Sequence, residues 1–331
     1  MCYNVAVRIS FIILRGDMRN INFEDKHSMR SAFGEALCEI GRKNPNIVAL
    51  DADLACSTQT KLFTKEFPER FFDCGIAEQD MIATAAGLAS EGKIPFAASF
   101  AIFATGRTYD QIRNTVCYPK LNVKIIGTHG GVTVGEDGAS HQALEDVALM
   151  RGLPNMTVIV PSDPTECAQA VKFAANHTGP VYIRVPRGNL PNIFDETYEF
   201  TPKANVIKNG KDVTVITNGE TLAEVIKASE TLEKSGINIE IINIPVVKPL
   251  DKNTVLESAS KTRLVVTVEN HSVINGLGSA VCEVLSENLP VKVLRIGVND
   301  VFGQSGKASE LLEFYELTAN RIAERIKEFK G

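Results

Sequence analysis

Fifteen residues, Thr128-His129-Gly130-Gly131-Val132-Thr133-Val134-Gly135-Glu136-Asp137-Gly138-Ala139-Ser140-His141-Gln142, hold two of the chain's five histidines, an aspartate and four glycines. Histidine titrates near neutrality and can move protons. Aspartate offers a fixed acceptor for hydroxyl groups, and glycine lets a backbone approach a ligand closely. A second segment, Gly75-Ile76-Ala77-Glu78-Gln79-Asp80-Met81, puts one acid at a strand-to-helix junction. It opens the small-residue helix Ile82-Ala83-Thr84-Ala85-Ala86-Gly87-Leu88-Ala89. Taken alone, Glu78 reads as an acid favoured by the dipole of an ordinary helix. The loop alone reads as a solvated connection, but its two histidines argue against that. No cysteine or carboxylate sits at ligand spacing beside them, so no metal site is expected.

The surrounding elements alternate. Met29 to Arg42 has helical spacing, and the wholly apolar run Ile47-Val48-Ala49-Leu50 reads as a strand covered on both faces. Strands are expected near 70–74, 95–99, 122–127, 156–160 and 180–184, and helices over 79–90, 106–116, 143–150 and 164–175. This alternation implies a parallel sheet with helices on both sides. Between Arg187 and Lys211 the pattern fades into proline, asparagine and charge, which reads as a linker. A second α/β unit follows, with strands expected at 213–217, 239–243, 264–268 and 291–295.

At 331 residues, two domains are expected. A net charge of −5 removes any global basic field for nucleic acid or an anionic membrane. Seven scattered cysteines without a CxxC pair point to reduced thiols, hence a cytoplasmic protein. The apolar run Ile9 to Leu14 is too short to span a membrane. Residues 1–24 read as an N-terminal extension, with Met18 a candidate start.

Further segments complete a pattern: Met29-Arg30-Ser31, Asp51-Ala52-Asp53-Leu54-Ala55-Cys56-Ser57, Ser99-Phe100-Ala101-Ile102-Phe103, Pro186-Arg187-Gly188-Asn189-Leu190-Pro191, Val268-Glu269-Asn270-His271 and Asn275-Gly276-Leu277-Gly278. Over residues 25–330, and in this order, they resemble the transketolase-type, thiamine-diphosphate-dependent enzymes. The resemblance implies two doubly wound α/β domains with mostly parallel sheets: a pyrimidine-binding domain over 25–190 and a C-terminal domain over 211–331, joined by the linker 191–210. It makes Glu78 the acid on the cofactor's aminopyrimidine ring, acting in its protonated form, which burial against Phe100 and Phe103 would favour. Asp53, Phe100 and Phe103 would complete the cofactor contacts. His129 and His141 would line the substrate channel and move protons, and Asp137 would read a sugar hydroxyl. Arg30, Ser57 and Arg187 would hold the sugar phosphate, a task suited to arginine's planar fork. Where some members of the family carry a further aromatic, this chain has Gly106 or Arg107.

One part of the family's pattern is missing. The Gly-Asp-Gly motif that holds magnesium and the cofactor's diphosphate occurs nowhere in the chain. The resemblance therefore implies the C-terminal subunit of a split transketolase. An N-terminal partner subunit would hold Mg2+ or Ca2+, and thiamine diphosphate would lie between the two. Two copies of each subunit, with a homodimer of this chain, are implied. The implied reaction moves a two-carbon glycolaldehyde unit from a ketose phosphate to an aldose phosphate, as in the pentose phosphate pathway. A 2-oxoacid dehydrogenase beta subunit, deoxyxylulose-phosphate synthase and a non-catalytic subunit of the same fold are the competing readings.

Overall fold

The computed structural model describes residues 21–331, so most of the expected extension 1–24 lies outside the described residues. Seven strands form the first sheet. Their spatial order is Phe71–Asp73, Ile47–Asp51, Ile94–Phe100, Lys124–Thr128, Val181–Val185, Thr157–Ile159 and Val246–Lys248. Every neighbouring pair is parallel except the last. Three central strands are buried at every position, as their near-continuous apolar sequences require for a sheet covered on both faces.

A second sheet has the order Lys292–Val298, Leu264–Ser272, Val213–Thr217, Ile239–Asn243 and Asn205–Lys208, parallel except at its last pair. The chain is α/β throughout, with helices on both sheets. The two units are interlocked, because Val246–Lys248 leaves the second unit to form the edge of the first sheet. The stretch expected as a linker over 191–210 is also built into the core. Ile193, Phe194 and Tyr198 are buried, and Asn205–Lys208 forms an edge strand. Its prolines and charges gave no periodicity, yet those three large side chains carry enough apolar surface to anchor it.

The helix starts follow local chemistry. Ser28 caps Met29–Lys43 by accepting from the Ser31 N–H, and Asp163 caps Pro164–Asn176 by accepting from the Glu166 N–H at 2.6 Å. The stretch expected as one helix over 106–116 departs from this regularity. It contains π-helical turns at Phe103–Arg107 and Ile112–Cys117, a form found mostly as short bulges near functional sites.

Asp163 also accepts from the Ile193 and Phe194 N–H groups, each at 2.7 Å, tying this helix to the connecting stretch. Glu166 reaches across to the second sheet, where Asn243 Nδ2 donates to it at 2.9 Å. Among the described residues, no helix is long and apolar enough to cross a membrane, six cysteines are free and no metal-ligating cluster is present.

Burial pushes the Asp163 carboxyl up to about 6 and the Glu166 carboxyl up to about 7. Neutral forms are therefore favoured by folding, so this contribution to stability is complete below the ordinary carboxylate range. It is lost as pH rises through about 6 to 7. The urea midpoint should fall across that interval, and Glu166→Gln should flatten the slope. An unchanged slope in the variant would assign the pH dependence elsewhere.

Candidate active site

All but one of the sequence-identified residues follow the carboxyl ends of parallel strands in the first sheet, the edge where such folds place ligands. Asp53 and Ser57 follow Ile47–Asp51, and Glu78 follows Phe71–Asp73. Phe100 ends its own strand, with Phe103 just beyond it. His129, Asp137 and His141 follow Lys124–Thr128, and Arg187 follows Val181–Val185. Arg30 arrives by another route. The strand Lys26–Ser28 pairs antiparallel with Asn189–Pro191, Ser28 opposite Asn189. Arg30, two residues after Ser28, is thereby brought beside Arg187, two residues before Asn189.

The two arginines are near enough for the charge of one to act on the other. Arg30 donates to the Ser57 carbonyl at 2.8 Å, while its buried Nε has no partner. Burial, and then the charge of Arg187, lower its pKa. Arg187 donates to the Val134 carbonyl and lies 3.4 Å from Asp137 Oδ2. An anion here would offset the repulsion of the two cations; Arg187 already lies 3.8 Å from Glu136 Oε2 as well. Ser57 holds Arg30 through its carbonyl.

His129 is buried, stacks on Phe100 at 3.8 Å between centroids, and shares a 3.0 Å contact between Nδ1 and Thr128 Oγ1. Burial first, and then Arg30, Arg187 and His141, push its pKa down to about 3, leaving it neutral near pH 7. His141 meets the edge of Phe103 at 5.3 Å, and its Nδ1 contacts Ser140 Oγ at 3.0 Å. Phe100 and Phe103 stack on each other at 6.1 Å.

Glu78 is only 1% exposed, despite standing in the first turn of helix Glu78–Ser90. An acid placed for the helix dipole alone would sit in solvent. Arg107 Nη1 donates to Glu78 Oε2 at 2.7 Å, so the buried acid already has a partner in this chain. Asp53 is exposed, with φ of 61°, and its backbone N–H donates to Asp73 Oδ1 at 3.0 Å. Its side chain makes no hydrogen bond or ion pair with the other candidates.

The sequence reading did not identify the groups that shape the histidine loop. Asn270, from the end of a second-sheet strand, accepts from the Val132 N–H at 3.0 Å and donates to Glu220 at 2.6 Å. Thr133 donates to the same Glu220 oxygen at 2.8 Å. Gly131 has φ of 84°, and a Cβ there would overlap Asn270, so two constraints require glycine. Gln142 donates to the Gln304 carbonyl at 2.9 Å, a second tie to the C-terminal unit. The Glu-Asn-His triplet 269–271 was a signal for part of this clamp, whereas nothing local marked Glu220 or Gln304. Glu269 accepts from Leu277 and Gly278 N–H groups at 2.7 and 2.8 Å. Its own carboxylate thus fills the helix N-terminus that follows the G-x-G fragment.

Comparison with known proteins decides the family. Residues 25–192 match the transketolase pyrimidine-binding domain, and residues 202–322 match the transketolase C-terminal domain. The chain belongs to the transketolase family. It is 52% identical over 304 residues to a putative transketolase C-terminal section of Methanocaldococcus jannaschii, covering 91% of this chain and 95% of that protein. It is 45% identical to a 6-deoxy-6-sulfo-D-fructose transketolase subunit of a Clostridium species, covering 90% of this chain and 93% of the relative. A solved structure described as a split gene transketolase, inactive beta4 tetramer, superposes with a TM-score of 0.86 at 51% identity. The superposition covers 92% of this chain and 98% of that one. Membership implies the use of thiamine diphosphate.

Asn270→Ala should strip Val132 of its acceptor and Glu220 of a donor, costing about 2 kcal/mol. Chemical denaturation would measure the cost, with faster amide exchange expected at Val132. An unshifted midpoint would mean that the transketolase histidine loop is held by other contacts.

Proposed function

We propose that this chain is the C-terminal subunit of a two-chain transketolase, with activity that requires an N-terminal partner bearing the Gly-Asp-Gly site. The carrying observation is the convergence of Glu78, the Phe100–Phe103 pair, two histidines and the Arg30–Arg187 seat at one sheet edge, in a chain without Gly-Asp-Gly. The residues suit the aminopyrimidine. Arg107, a flat nitrogen donor, already bonds Glu78 while its guanidinium carbon stands 4.5 Å from the Phe103 ring centre. Apolar residues at the rim support a covering partner: Ile76, two residues before Glu78, is 78% exposed, and Phe302, beside the Gln142 tie, is 87% exposed. The beta4 assembly of the related split-gene protein supports homotypic contacts as well. Two copies of each subunit fit that reading, with Mg2+ or Ca2+ held by the partner.

Thiamine diphosphate, when bound, supplies the electron sink for carbon–carbon cleavage. The chain's own groups would act around it. Glu78 Oε2 would hold a proton against the pyrimidine nitrogen. Nδ1 of His129 is engaged with Thr128, which leaves Nε2 for a sugar hydroxyl. Neutral His129 suits that contact, and an anion between Arg30 and Arg187 would offset two of the charges that hold its pKa low. Nε2 of His141 is free for a second hydroxyl, and Asp137 stands ready for another. Asp53 would complete the cofactor contacts once the partner encloses it.

The double-arginine seat favours a substrate with a terminal anion, most simply a sugar phosphate. The name of the Clostridium relative supports a sulfonate in the same position as a second reading. Purified chain and partner should transfer glycolaldehyde from xylulose 5-phosphate to ribose 5-phosphate, or from the 6-sulfo ketose, and leave 2-oxoacids untouched. Turnover of a 2-oxoacid alone would shift the assignment to the dehydrogenase class. Glu78→Gln in the assembled enzyme should lower kcat by about a thousandfold. Near-normal turnover in that variant would remove Glu78 from the mechanism. Arg187→Ala should act mainly on KM, raising it about tenfold through loss of a charge-assisted contact.

A further inference from the structure

Arg107 belongs to none of the roles above, yet it touches the residue on which the proposed chemistry depends. Its Nη1 lies 2.7 Å from Glu78 Oε2, and its guanidinium carbon lies 4.5 Å from the centre of the Phe103 ring. Gln79 Nε2 donates to the Arg107 backbone carbonyl at 3.0 Å, joining the start of the Glu78 helix to this turn. The π-helical turn Phe103–Arg107 puts both ring and guanidinium on one short segment. A planar group that hydrogen-bonds Glu78 and lies against Phe103 fills the place an aminopyrimidine ring would take.

We propose that Arg107 holds the aminopyrimidine's place in the unassembled chain, and that cofactor entry displaces it from Glu78. This rests on the transketolase reading and adds a control residue to it. While Arg107 is paired, Oε2 of Glu78 is occupied. Once Arg107 leaves, that buried oxygen is open to the pyrimidine nitrogen. The Arg107 side chain is 44% exposed while that of Glu78 is 2% exposed, so the guanidinium has solvent to enter and the acid stays in place.

The test is thiamine diphosphate binding to the chain reconstituted with its partner, followed by near-ultraviolet circular dichroism and calorimetry rather than turnover. Arg107→Met should tighten binding about fivefold, the equivalent of one half-exposed ion pair. Arg107→Gln, which keeps a donor for Glu78, should also bind more tightly than wild type. Arg107→Lys, which retains the charge, should stay near wild type. Melting temperatures of the same samples identify any variant that has lost its fold, and the remaining variants then decide. Equal or weaker binding by folded Met and Gln variants would overturn the proposal, because Arg107 would then be a cofactor contact or a bystander. Failure of the wild-type pair to bind thiamine diphosphate would instead sink the transketolase reading, and this proposal with it. A structure of the loaded wild-type complex gives a reading free of mutation. Arg107 turned away from Glu78 supports the displacement, and an intact pair overturns it.

Discussion

Parallel strands in one sheet all end on the same side, and the site depends on that constraint. Successive strands deliver their following loops to one edge, so segments far apart in the chain meet without long connections. The short helix bearing Ser57, the helix bearing Glu78, the Phe100–Phe103 turn, the histidine loop and Arg187 all share that edge. Arg30 joins them through the short antiparallel ribbon that sets Ser28 opposite Asn189. A shift of that register would separate the two arginines and dissolve the anion seat.

Charge explains why the assembled edge is poised rather than relaxed. Burial and the charge of Arg187 weigh on Arg30, burial and both arginines hold His129 neutral, and the Arg30 Nε is left unpaired. These terms all favour an arriving anion. Glu78 shows the opposite arrangement, since its buried carboxylate is already satisfied by Arg107. One part of the site leaves a buried donor unpaired, and the other is closed by an internal ion pair.

The C-terminal unit has a physical part in this arrangement. Asn270 and Glu220 fix the backbone of the histidine loop, and Gln304 holds Gln142. Val246–Lys248 completes the first sheet's edge, so the units are mechanically joined. Tyr198 adds a further bond between them by donating to Glu166 at 2.8 Å. The unit is therefore a brace for the loop that carries His129 and His141.

Local chemistry was legible in the chain itself. Continuous apolar runs announced the buried strands, and the clustered histidines announced a loop worth more than connection. The absence of Gly-Asp-Gly was also a property of the sequence alone. The packing of the connecting stretch 191–210 was not legible, because burial of Phe194 and Tyr198 depends on partners distant in the chain. For the same reason the Asn270 clamp and the Arg30–Arg187 proximity emerged only in three dimensions. Arg107 is the sharpest case. The sequence showed only that an expected aromatic was replaced. The fold turned that replacement into an ion pair, because charge acts through distance in space rather than separation along the chain.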